Sequence, residues 1–170
     1  MIKYFALKIV IYLLLPLDLF AEINLYTHRH YNSDKILFKK FTEKTGIKVN
    51  VIKGSADQLI QRLISEGSKS PADILLTVDA GRLARAKELN LLQPFSSTVL
   101  EKQVPKSMRD DEGYWYGLTV RARAIVYSKD RVNLSELSTY EDLASNKWKG
   151  RIVVRSSNNI YNQSLLASII

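Results

Sequence analysis

Thr27, His28, Arg29, His30, Tyr31 and Asn32 put two imidazoles, a guanidinium and a phenol at one corner between a short apolar strand and a helix. In an open α/β sheet, ligands bind outside the carboxyl ends of the strands, so this corner is where a site belongs. A second corner of the same type comes much later. Residues 151–154 read as a strand, and Asn158, Asn159, Ile160, Tyr161, Asn162 and Gln163 lead into an apolar, helix-like tail. Each corner offers a Tyr–Asn pair to the mouth of a sheet. Two such corners from two lobes would close on one small ligand.

The residues favour capture over bond breaking. The chain has no cysteine, two histidines close together, no GxSxG elbow and no P-loop, so nucleophilic and phosphoryl chemistry lack their usual parts. An enzyme is not expected. His28 and His30 have the look of a metal pair, but at extended spacing both could equally face solvent. Asp79, directly after a strand, suits a helix cap better than a metal ligand. Arg121 reads either as a surface residue, as a partner of Asp73 or Asp79, or as a member of the site. Tyr114, Trp115 and Tyr116 read as core and hinge packing.

These corners need elements to carry them. Residues 23–26 form a first strand, followed by a helix from Ser33 that carries Ile36, Leu37, Phe38 and Phe41 and ends at Thr45–Gly46. Residues 47–52 alternate as a second strand. Ser55 caps a helix through Leu59, Leu63 and Ile64 that stops at Gly67. Residues 72–78 form a third strand of the buried type, and a helix follows from about Gly81 to Leu89. This βαβαβα order predicts an α/β fold with a parallel sheet. Beyond Pro105, residues 114–120 and 124–127 read as extended, residues 137–143 as a short helix, and residues 117–123 as a hinge into a second lobe.

Composition sets the wider frame. The 170 residues are 46% hydrophobic and 25% charged, as in an ordinary globular protein. Lys3 and the apolar stretch of residues 4–20, with Leu19-Phe20-Ala21 before Glu22, read as a cleaved signal peptide over residues 1–21. That stretch is short for a bilayer span and is interrupted by Lys8, Pro16 and Asp18. The absence of cysteine excludes a lipid-anchored cysteine and any disulfide. The formal charge of +8 is scattered rather than clustered, and an exported protein meets little nucleic acid, so none is expected as a partner.

Four stretches carry a resemblance. They are Leu25-Tyr26-Thr27-His28-Arg29-His30-Tyr31; Ala72-Asp73-Ile74-Leu75-Leu76-Thr77-Val78-Asp79-Ala80-Gly81-Arg82-Leu83; Tyr116-Gly117-Leu118-Thr119-Val120-Arg121-Ala122-Arg123; and Ser157-Asn158-Asn159-Ile160-Tyr161-Asn162-Gln163-Ser164. In this order the chain resembles the periplasmic ferric-iron-binding proteins of ABC importers, the tyrosine-rich branch of the type II periplasmic binding proteins. The resemblance implies two α/β lobes joined by a hinge and closing over one ferric ion. It assigns residues 22–118 to the first lobe, and residues 119–170 to the hinge and the start of a second lobe left incomplete. It implies Tyr31 and Tyr161 as iron ligands, His30 as an additional one, and Arg121 as the residue that balances phenolate charge or holds an anion such as carbonate. The family's adjacent tyrosine pair is expected beyond Tyr161, past the last residue. The implied protein is a periplasmic monomer that delivers Fe(III) to a permease in the inner membrane. The alternatives are a binding protein for another small solute or anion, and a truncated remnant without function.

The implied chemistry is consistent with the residues. Ferric iron is hard and highly charged and prefers anionic oxygen donors to sulfur. Free tyrosine ionises only near ~10, but a bound cation of high charge favours the phenolate. Binding therefore releases protons and weakens in acid.

Overall fold

The computed structural model describes residues 21–170, so the expected signal peptide lies, but for Ala21, outside the described residues. At the centre is a strand, β1 (Glu22–Thr27), whose second half, Leu25 to Thr27, is buried. On one side it pairs in parallel with β2 (Lys48–Lys53), from Glu22 opposite Lys48 to Thr27 opposite Lys53. On the other it pairs in parallel with β3 (Ile74–Leu76), from Leu25 opposite Ile74 to Thr27 opposite Leu76. The order is β2-β1-β3. Helices α1 (Asn32–Thr45), α2 (Ala56–Glu66) and α3 (Ala80–Glu88) follow the three strands in turn. The expected α/β class with a parallel sheet is what forms.

Helix α2 contributes more buried apolar residues than any other element, Ala56, Leu59, Ile60 and Leu63. Its apolar residues recur at helical spacing, and Leu59, Ile60 and Leu63 are buried, the first and last of them against Tyr26. Burial of each such side chain contributes roughly 1.5–3 kcal/mol. Ser55 starts the helix with a reciprocal cap: Gln58 N–H donates to Ser55 Oγ at 3.3 Å, and Ser55 N–H donates to Gln58 Oε1 at 2.9 Å. Tyr26 is fully buried, and its hydroxyl donates to both oxygens of Glu66 at 2.9 and 3.0 Å. Burial, and then the Glu66 carboxylate, push the Tyr26 phenol up.

Several expectations after the third strand need correction. The strand itself is confined to Ile74–Leu76, because only those residues lie opposite β1. A short helix absent from the sequence reading, α4 (Thr98–Gln103), is capped by Ser97. Residues 114–120, 124–127 and 151–154 join no ladder; the nearest approach is an isolated bridge between Arg109 and Tyr116. A strand needs a partner for its N–H and C=O groups, and Val126 and Val153 are 91% and 97% exposed. In place of the helix over residues 137–143 there are 3-10 turns at Leu134–Glu136 and Glu141–Ala144. The last helix, α5, covers Ile160–Ala167. Among the described residues no helix is long and apolar enough to cross a membrane.

Candidate metal centre

The first corner begins where β1 ends. Tyr31 occupies the N-cap position of α1 with extended backbone and makes no side-chain cap bond there. A tyrosine cannot reach back as Ser or Asp does, so its phenol is free to project away from the helix. The loop before it is pinned by Arg29, which donates to both oxygens of Asp34 in the first turn of α1, each at 2.9 Å. That pairing holds the Asp34 carboxyl below the usual range, although burial works against it. The Arg29 guanidinium also lies 5.0 Å from the Tyr31 ring centre.

The second corner is built differently. Asn159 caps α5 by accepting from Tyr161 N–H at 3.0 Å, which places Tyr161 in the first turn of the helix. Both tyrosines thus stand at helix N-termini, where the dipole favours negative charge. Arg121 comes in from a segment outside the paired strands and the helices. One guanidinium nitrogen donates to the Tyr161 hydroxyl at 3.0 Å and the other donates to the Tyr31 hydroxyl. The bond to Tyr31, with the charge of Tyr161 nearby and burial in opposition, raises the affinity of Arg121 for its proton. Three guanidiniums surround the Tyr161 ring: Arg121 at 5.6 Å, Arg123 at 4.7 Å and Arg155 at 5.4 Å.

The structure therefore brings Tyr31, Tyr161 and Arg121 together. His30 is exposed and stacks on the Tyr31 ring with centroids 5.0 Å apart. His28 turns away: it is half-buried, and its Nδ1 is buried without a hydrogen-bond partner. Burial, followed by the charges of Arg82 and Arg29, lowers the His28 pKa and favours its neutral form. Asp79 caps α3 as expected, accepting from Gly81 N–H at 3.0 Å. The anticipated partner of Asp73 or Asp79 is not Arg121: Arg123 meets Asp79 at 3.4 Å, and Asp73 accepts from Asn24 N–H at 2.7 Å. Arg123 and Arg155 were missed as neighbours of Tyr161. Alternation with Arg121 could have suggested Arg123; nothing local to the sequence points to Arg155. Among the described residues no group of three or more His, Asp or Glu is placed to hold a metal.

Residues 69–170 match the family model described as bacterial extracellular solute-binding protein. The chain belongs to that family. Iron uptake protein A1 of Synechocystis sp. is 58% identical over 149 residues, which are 88% of this chain and 41% of that protein. A solved Trichodesmium structure (IdiA, FutA), in complex with iron and citrate ligands, superposes with a TM-score of 0.83 at 59% identity, covering 88% of this chain and 48% of that one. The ferric binding protein from Campylobacter jejuni superposes with a TM-score of 0.80 at 50% identity, over 87% of this chain and 47% of its own. The chain thus spans less than half the length of these relatives.

Proposed function

We propose that this family member captures ferric iron outside the inner membrane and passes it to a membrane permease, with Tyr31 and Tyr161 as phenolate ligands. One observation carries the reading: two tyrosine hydroxyls from distant corners converge on one positive charge, the Arg121 guanidinium. Two phenols that meet at one guanidinium bring oxygen donors together, the donor type a hard trivalent cation prefers. His30, stacked on Tyr31, is the additional ligand, reached by rotation of an exposed side chain. Arg121 balances phenolate charge and, as a planar fork, pairs with a carboxylate or carbonate completing the iron shell. A relative whose structure holds iron and citrate together supports an exogenous oxyanion in that role.

Residues 22–118 form the first lobe in this reading, and residues 119–170 the hinge and the second lobe's beginning. All three paired strands fall in the former range. The protein acts as an exported monomer. A titration of the 170-residue chain with ferric citrate tests the reading: a visible phenolate-to-iron band should grow and saturate. Saturable binding of the citrate without colour would favour the second reading, an anion site built on Arg121, Arg123 and Arg155 around Tyr161.

A further inference from the structure

Asp79 lies outside the tyrosine–arginine group yet grips both segments that carry it. Its Oδ1 accepts from Gly81 N–H at 3.0 Å and from Ser164 Oγ at 2.9 Å, while Arg123 Nη2 donates to Oδ2 at 3.4 Å. Its side chain is 9% exposed, so these contacts stand in for much of the water around the carboxyl group. Ser164 follows Tyr161 by three residues on α5 and shares its face. A hold on Ser164 sets the rotation of the helix that aims the Tyr161 hydroxyl. Arg123 follows Arg121 by two residues, and both guanidiniums lie over the Tyr161 ring. Gly81 completes the contact. A Cβ there would stand 3.2 Å from Ile160 Cδ1, so a bare backbone at the start of α3 lets the first turn of α5 approach.

We infer that Asp79 is a positioning residue: a latch on the β3–α3 corner that draws in the Tyr161 helix through Ser164 and the Arg121 segment through Arg123. One carboxylate thereby couples the cap of α3 to the alignment of the two tyrosine corners. Asp79 touches neither phenol; it acts through residues one step removed.

The absence of cysteine makes the latch directly measurable, because spin labels attach only where cysteine is introduced. Lys40→Cys on α1 and Ala167→Cys on α5, both at exposed positions, report the separation of the helices that carry the two corners by electron dipolar spectroscopy on the 170-residue chain. Asp79→Asn keeps an oxygen for Gly81 and Ser164 but removes the charge facing Arg123, and Ser164→Ala removes one hydroxyl, so both variants keep the α3 cap. The latch predicts one narrow distance distribution for the parent and a longer, broader one for each variant, at unchanged circular dichroism. Identical distributions in parent and both variants overturn it. A second arm rests on the ferric reading: iron loss to excess EDTA should be about tenfold faster in each variant, the loss of roughly one charge-assisted hydrogen bond. A parent chain that takes up no ferric iron would sink the ferric reading and leave the distance test to decide the latch.

Discussion

Tyr31 and Tyr161 share one guanidinium: Arg121 donates to both hydroxyls, reaching ninety residues back to the first and forty forward to the second. Each corner brings one phenol oxygen to that guanidinium. The pairing joins two corners far apart in the sequence, and Arg121 is the piece between them.

Arg121→Lys should therefore be far from conservative. A lysine offers one compact charge where the planar fork spans two oxygens. We expect ferric affinity to fall by about tenfold, the equivalent of ~1.4 kcal/mol, with the circular dichroism unchanged. Equal affinities by competition against citrate would remove Arg121 from the site.

The two histidines should behave differently. His30 stacks on Tyr31 and is exposed, whereas His28 is turned inward. His30→Ala is expected to lower ferric affinity by roughly 10- to 100-fold, as when a ligand or its support is lost, and to shift the visible band. His28→Ala should leave the band where it is. A reversed order would move the metal ligand from His30 to His28.

Gly81→Val places a branched side chain where a single Cβ already approaches Ile160 at 3.2 Å. Overpacking of this kind costs about 1–3 kcal/mol. The expected result is a lower unfolding midpoint and weaker iron uptake together. Weaker uptake should be absent in Gly46→Ala, because Gly46 has open space around it and only its backbone angle, φ 73°, is strained by a side chain.

Acid should weaken the core through Glu66. Hydrogen bonds from Ser70, then Arg62 and Tyr26, hold its carboxyl below the usual range. The folded state thus binds this proton less readily than the unfolded chain. The stabilisation is fully present above the ordinary carboxylate pKa, near ~4.3, and is lost as pH falls through the lowered value. Tyr26→Phe removes one of those donors and should cost about 1–2 kcal/mol at neutral pH. Urea unfolding of the parent and of Glu66→Gln across the acid range checks the sign: the parent's advantage must shrink as pH falls.

Local patterns made the first half legible. Ser55 with Gln58 marks a helix start, Gly46 and Gly67 mark ends, and the alternation of residues 47–52 marks a strand, because each signal is stored within a few residues. The second half was harder for a physical reason. Residues 151–154 look like a strand by composition, but strand formation depends on a partner segment that no local pattern records. The candidate site divides the same way. Tyr31 and Tyr161 stand out at their corners, although only the family resemblance gives them a role as ligands, whereas the contacts of Arg155 with Tyr161 and of Ser164 with Asp79 arise only from tertiary packing.

The most direct test of phenolate ligation is resonance Raman spectroscopy of the ferric-loaded chain, excited within its visible band and compared with Tyr31→Phe, Tyr161→Phe and the double variant. Tyrosinate ring modes should be strong in the parent, weaker in each single variant and lost in the double variant. Tyrosinate modes of full strength in the double variant, or a parent that binds iron with no such modes, would contradict the assignment of Tyr31 and Tyr161.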